Sequence, residues 1–196
     1  GTTGDGVESV TGYTGHDAAK LRDYNENNHA LSGKEMIEAV KGAVATNEVN
    51  AAMGIICATP TAGSSGTIPG VLFKLEKTHD LTEDQMIDFL FTSALFGRVV
   101  ANNASVAGAT GGCQAEVGSA SAMAAAASVA IFNGTPEQSG HAMALAISNL
   151  LGLVCDPVAG LVEIPCVMRN AIGSGNALIS ADLALAGVES RIPVDE

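Results

Sequence analysis

Three of the four cysteines lie in stretches whose composition suits chemistry. Cys113 stands between a glycine cluster and an alanine-rich run, in Gly108-Ala-Thr-Gly-Gly-Cys-Gln-Ala-Glu-Val-Gly118. Cys155 and Cys166 bound a second unusual stretch, Cys155-Asp-Pro-Val-Ala-Gly-Leu-Val-Glu-Ile-Pro-Cys166. Each thiol is read at a helix start or in a Gly/Pro loop, where backbone N–H groups support thiolate charge and so favour metal ligation or nucleophilic work. Their separations, 42 residues and then 11, are not the short C-x-x-C of zinc ribbons or redox pairs. Taken alone, three scattered thiols read equally well as packed core, because free cysteine is among the most buried residue types. Cys57 is read as such a core cysteine.

Other polar groups gather near these thiols in the sequence. The loop Thr61-Ala-Gly-Ser-Ser-Gly-Thr67 offers hydroxyls and backbone amides from Thr61, Gly63, Ser64, Ser65 and Gly66, the composition of an anion-binding nest. Taken alone, it reads more readily as a tight connection between helices. Asn103 and Ser105, just before the Cys113 stretch, are further candidates for contacting a small polar ligand. Gln114, Glu116 and Asp156 follow the cysteines closely and are read either as hydrogen-bonding supports of a metal site or as helix caps. Arg169 and Asn170 lie one helical turn after Cys166, to face a ligand or to pair with a carboxylate. No histidine stands in a recognisable catalytic arrangement. His16, after Gly15 in a turn-like segment, is the one retained as a candidate base, whereas His79 reads as solvated loop and His141 as a helix-face residue.

These residues need a scaffold, and the pattern around them is helical. Ser32-Gly-Lys-Glu35, Thr82-Glu-Asp-Gln85 and Thr135-Pro-Glu-Gln138 fit capping boxes, the last with Pro136 at the first helical position. Met36, Val40 and Val44 follow the first box at helical spacing, and Met86, Ile87, Leu90, Phe91 and Leu95 follow the second. Helices are expected near 34–53, 83–101, 114–132, 136–151 and 166–187, with a further one near His16–Tyr24. Alternating β-branched patterns are nearly absent, so the chain is read as all-α. Its 196 residues suffice for one sizeable core, and no linker divides them, which gives a single domain over 1–196. With 23 glycines and no tryptophan, that core must be built from small side chains. Gly118, Ala122, Ala126 and Ala130 recur every four residues, marking an enclosed central helix in which Gly118 is expected to meet another backbone.

The formal charge of −12 sets like charge against nucleic acid and anionic lipid, so neither is expected as a partner. The longest apolar run, around Ala120–Phe132, is shorter than the roughly 20 residues of a bilayer span. Cysteines without a secretory signal point to a reducing compartment, the cytoplasm.

The two cysteine stretches, with Glu48-Val-Asn-Ala-Ala and Cys57-Ala-Thr-Pro-Thr-Ala-Gly-Ser-Ser-Gly-Thr-Ile-Pro-Gly, closely resemble the alpha chain of iron–sulfur-dependent L-serine dehydratases, from about residue 10 to the end. The resemblance implies that Cys113, Cys155 and Cys166 hold a [4Fe–4S] cluster with one iron lacking a permanent thiolate. That iron would bind the serine hydroxyl as a Lewis acid. Loss of the α-proton to a base and of hydroxide to the iron would give aminoacrylate, which yields pyruvate and ammonia. With the resemblance, the Thr61–Thr67 loop is read as the holder of the substrate carboxylate. The resemblance also implies an oligomer with a beta chain, which carries a Ser-Ser-Ser-His-type motif absent here and is a candidate source of the base. Relative to that family the chain is read as truncated at both ends, so activity on its own is not expected. Rival readings are an iron–sulfur cysteine desulfidase and, from another class, a zinc-binding or inert helical scaffold. A pyridoxal-phosphate dehydratase is set aside, since Lys74, Lys77 and the other lysines are placed in polar or loop-flanking segments where no buried Schiff base would form.

Overall fold

The computed structural model describes residues 1–196 except Asp156 and Val162. Among the described residues it contains eight α-helices and one π-helical turn, and the only β features are two isolated bridges. The helices are α1 (Asp17–Asn27), α2 (Lys34–Ala51), α3 (Thr67–His79), α4 (Glu83–Asn103), α5 (Gly108–Gly111), α6 (Ser119–Ile131), α7 (Pro136–Asn149) and α8 (Glu163–Leu185), with the π-turn at Gln114–Gly118 ahead of α6. The all-α expectation holds.

α6 is the enclosed element. Every residue from Ser119 to Val129 is buried, most of them alanine or serine. α3, α4, α7 and α8 all pack against it. Small side chains let those neighbours close in on every side, and buried serines bond carbonyls within and between helices: Ser128 donates to Ala124 O, Ser121 to Gly173 O of α8, and Ser139 of α7 to Ala126 O. α2 packs on α1, α3 and α8 and carries a second, smaller apolar cluster of Ala18, Val44, Ala45 and Val167.

The boxes at Thr82 and Thr135 are both formed, with each threonine hydroxyl accepting from the N3 amide and each glutamine side chain accepting from the N-cap amide. The box expected at Ser32 is not. Gly33 occupies the N-cap of α2 with a φ of 87°, and no side chain caps that end. α3 lies outside the helices expected from the sequence. Gly66 at its N-cap gives no start signal, and Pro69 and Gly70 interrupt a pattern of Ile68, Val71, Leu72 and Leu75 that is nonetheless helical, since proline is tolerated in a first turn. Lys74, expected beside a loop, is therefore a nearly buried residue of α3, ion-paired with Glu35 at 3.0 Å. His79, expected in solvated loop, ends α3 with its ring edge-on to Phe132 at 4.7 Å.

α4 turns its strongest apolar stripe outward. Phe89, Ser93, Gly97 and Val100 form its buried face, while Ile87, Leu90, Phe91 and Leu95 are exposed. Close backbone approach also falls elsewhere than expected. A Cβ placed on Gly118 would meet nothing nearer than Leu150 Cβ at 3.9 Å, whereas α2 and α3 cross where a Cβ on Gly42 would lie 3.1 Å from Gly70 Cα.

Candidate functional site

The helix bearing Cys166 is anchored at its start from the N-terminal segment. Ile164 has non-helical angles inside α8 (φ −108°, ψ 119°), so continuous helix begins at Pro165, whose missing N–H is harmless there. Thr11 donates to Glu163 Oε2 at 2.7 Å, and the Thr14 hydroxyl donates to the other carboxylate oxygen. Burial pushes the Glu163 carboxyl up, but hydroxyl donors from Ser9, Thr14 and Thr11 outweigh it and hold the group below its usual value. The same segment is fixed to α2 by Glu48, a fully buried carboxylate that accepts from the N–H groups of Asp17 (2.7 Å) and Ala18 (3.3 Å) and so caps α1 from a neighbouring helix.

Asn170, one turn beyond Cys166, fixes the loop before α3. Its Oδ1 accepts from Gly66 N, Thr67 N and Thr67 Oγ1 at 3.1, 3.0 and 3.0 Å, and its Nδ2 donates to Gly63 O (2.7 Å) and Cys166 O (2.8 Å). Within the loop, the Ser64 hydroxyl donates to Thr59 O at 3.1 Å and stands 3.1 Å from Thr61 Oγ1. The Ser64 hydroxyl and the Gly66 amide, expected as ligand donors, are thus spent on holding the loop. Ser65 Oγ is buried without a partner and faces an apolar groove also lined by Cys57 and Thr59. The loop amides that remain are those of Ala62, Gly63 and Ser64, which have no acceptor among the described residues.

Cys113 is brought to the 152–155 segment by backbone stitching. Gly112 has a φ of 76°, and a Cβ there would lie 3.1 Å from Leu153 O and 3.2 Å from Cys155 N, so only glycine fits this contact. Gln114 N donates to Leu153 O and Gly152 N donates to Gln114 Oε1, both at 2.8 Å. Arg169 completes the link, with Nη1 2.9 Å from Cys113 Sγ and 2.6 Å from Val154 O. The π-turn directly after Cys113 departs from the regular helix expected over 114–132; such turns are frequent at functional sites.

The three thiols consequently meet. Cys113 is the neighbouring thiol that acts on both Cys155 and Cys166. Burial, followed by the proximity of Cys113, pushes the Cys166 thiol up to about 12. Desolvation and the neighbouring Cys113 and Glu116 also raise that of Cys155, against the pull of Arg169. Metal-free, these two sulfurs are protonated at neutral pH, and a metal would have to displace their protons. Cys155 stays exposed and lines an open cleft of about 350 Å³ with Gly108, Thr110, Gly112, Gln114 and Val154. Among the described residues, no three His, Cys, Asp or Glu side chains are arranged to share one metal ion.

The other expected residues fall outside this convergence. Asn103 is exposed at the end of α4 and donates to Val99 O; Ser105 accepts from Ala107 N in the turn into α5; neither lines the cleft. His16 holds the Asp5 carbonyl at 2.7 Å from an exposed position and makes no hydrogen bond to a cysteine. Asp156 lies outside the described residues. Cys57 is exposed and not packed in the core.

The profile of the family described as serine dehydratase alpha chain matches residues 3–196. The chain belongs to that family. A probable L-serine dehydratase alpha chain of Bacillus subtilis is 65% identical over 192 residues, covering 98% of this chain and 64% of that protein. A second, from Latilactobacillus sakei, is 68% identical over 161 residues, covering 82% of this chain and 77% of its own length. The L-serine dehydratase alpha chain of Peptoniphilus asaccharolyticus is 50% identical over 179 residues, covering 91% of this chain and 61% of that one. The chain therefore spans less than two thirds of two of these three alpha chains, and the family match takes in all three converging thiols.

Among the described residues no helix is long and apolar enough to cross a membrane. Glu48 stands in a stretch that carries the resemblance, but its capping of α1 gave no local signal, and neither did the π-turn after Cys113; both depend on tertiary geometry.

Proposed function

We propose that this chain is the alpha-chain portion of an iron–sulfur L-serine dehydratase, in which Cys113, Cys155 and Cys166 hold a [4Fe–4S] cluster. The observation that carries the reading is the approach of three thiols from three separate segments, with Cys113 next to the other two and Cys155 opening onto a cleft. Soft thiolate donors are the ligand type such clusters take.

A cluster with one iron short of a protein thiolate would supply an open Lewis-acid position that makes hydroxide a feasible leaving group. The chain's own residues orient the rest. The unspent amides of Ala62, Gly63 and Ser64 receive the substrate carboxylate, at a loop whose position Asn170 ties to the Cys166 turn. Arg169, held on Cys113 and on Val154 O, steadies the segment that carries Cys155. Elimination of water from L-serine would leave aminoacrylate, and hydrolysis then gives pyruvate and ammonia. The relatives' designation as alpha chains implies a partner chain, and the outward apolar row of Ile87, Leu90, Phe91 and Leu95 suits its contact. Thiolate ligation of this kind belongs to a reducing compartment such as the cytoplasm.

Anaerobic reconstitution with iron and sulfide tests the cluster. About four irons and about four labile sulfides per chain, lost in Cys113→Ala and retained in Cys57→Ala, are expected. A folded chain that binds zinc stoichiometrically and takes up no sulfide would overturn the assignment.

A further inference from the structure

We propose that Glu116 recognises the α-ammonium group of the substrate. The inference rests on the reading of this site as one for L-serine. Glu116 lies in the π-turn three residues after Cys113. Its carboxylate occupies a slot made by two glycines from separate segments: a Cβ on Gly108 would fall 2.3 Å from Oε2, and one on Gly63 would fall 3.2 Å from the same oxygen. Any other residue at Gly108 would displace the carboxylate.

The carboxylate is half-buried, and no hydrogen-bond donor or cation among the described residues engages it. A carboxylate that is partly withdrawn from water and left unpaired is costly, so its retention points to a cation that arrives from outside the chain. Its charge is felt at Cys155 and Cys166, which places it at the thiol cluster. On its other side it faces Gly63 with no room for more than a methyl group between them, and the Gly63 N–H is among the loop amides left without an acceptor. An α-amino acid carries its ammonium and carboxylate on one carbon. A site for it needs an anion and a set of N–H donors side by side, next to whatever activates the β-substituent. Glu116, the Gly63 loop and the three thiols are in that arrangement. A residue serving only to tune the thiols or to cap α6 would need no contact with the 61–67 loop.

Equilibrium binding by the complete, iron-loaded enzyme with its partner chain separates these roles. L-Alanine and propanoate share a carboxylate and differ in the ammonium, and neither can lose water. The wild-type enzyme is expected to bind L-alanine on the order of tenfold or more tightly than propanoate, the usual scale of one charge-assisted hydrogen bond. In Glu116→Gln that ratio should fall to about one while propanoate binding and iron content stay unchanged. The KM for L-serine should rise by a similar factor, with kcat less affected. Glu116→Asp, which keeps the charge and draws it back by one methylene, is expected between the two. An unchanged ratio in Glu116→Gln, or equal weakening of both ligands, would overturn the proposal. A wild-type enzyme that is fully loaded with iron yet takes no L-serine would remove the functional reading itself, and this proposal with it.

Discussion

Asn170 Oδ1 accepts from the backbone N–H of Thr67 at 3.0 Å, so one side chain of α8 caps α3 and holds the loop in front of it. The same residue donates to Cys166 O, its own i−4 carbonyl, which places the loop and the cysteine in one rigid unit. Asn170 is fully buried, and its truncation would leave Gly66 N and Gly63 O without partners, Thr67 N keeping only its 3.2 Å bond to Ser64 O. Asn170→Ala is expected to lower stability by about 3 kcal/mol, given roughly 1–3 kcal/mol per buried group left unsatisfied. Urea denaturation measures this, and a loss below about 1 kcal/mol would mean that water replaces the side chain.

How far the sequence discloses such a unit depends on what the pattern encodes. The boxes at Thr82 and Thr135 are local, and both form as read. The three thiols are legible as a group through the resemblance, because their stretches are long and distinctive. Asn170 was legible only as a polar residue near Cys166, since its five partners come largely from a loop about a hundred residues away in the chain. The outward stripe of α4 misleads for a physical reason. Apolar periodicity identifies a face that avoids water, not the surface that covers it, and α6 offers α4 a face of small residues that Phe89, Ser93 and Gly97 fit better than Leu90 or Phe91.

Two glycines in helices should respond oppositely to alanine. A Cβ on Gly70 would fall 2.7 Å from Ala39 O and 2.8 Å from Ala43 Cβ, so α2 and α3 would have to separate. The overlap outweighs the gain of about 1 kcal/mol in helix propensity, and Gly70→Ala is expected to cost about 1–3 kcal/mol. At Gly118 the nearest atom to the new methyl is 3.9 Å away and φ is −61°. Gly118→Ala is expected to be neutral or to raise stability by up to about 1 kcal/mol. Thermal melts of the two variants check the contrast.

The four thiols should separate kinetically in the reduced, metal-free chain. Cys57 and Cys155 are exposed, while Cys113 and Cys166 are buried. An aromatic disulfide reagent reacts with thiolates, so two thiols are expected to modify quickly and two only as the fold opens. Cys155, whose thiol is raised by desolvation and by Cys113, should be the slower of the exposed pair, and Cys57→Ala should remove the fastest phase. Four equal rates would contradict the burial of Cys113 and Cys166.

Two glutamates of α2 give stability opposite dependences on pH. Burial pushes Glu38 up, but hydrogen bonds from Lys41 (2.6 Å) and Lys77 (3.0 Å) outweigh it and hold the carboxyl below the usual 4.5. A lowered folded value contributes stability that is present above the unfolded one and is lost as pH falls through the folded value. Glu38→Gln should therefore be less stable than wild type at neutral pH, with the gap closing as the solution is acidified below about pH 4. Glu48 is the reverse case. Burial raises it above 4.5, and the N–H groups of Asp17 and Ala18 only partly offset this. The folded chain holds that proton more tightly, so its contribution is fully present below the unfolded value and is lost as pH rises through the folded one. Glu48→Gln keeps an acceptor for the α1 amides and removes the titration, so its stability relative to wild type should improve as pH is raised from about 4 to about 7. Urea midpoints across that range should show the two differences running in opposite senses with pH in the acid region, and parallel profiles would mean that neither carboxylate titrates with folding.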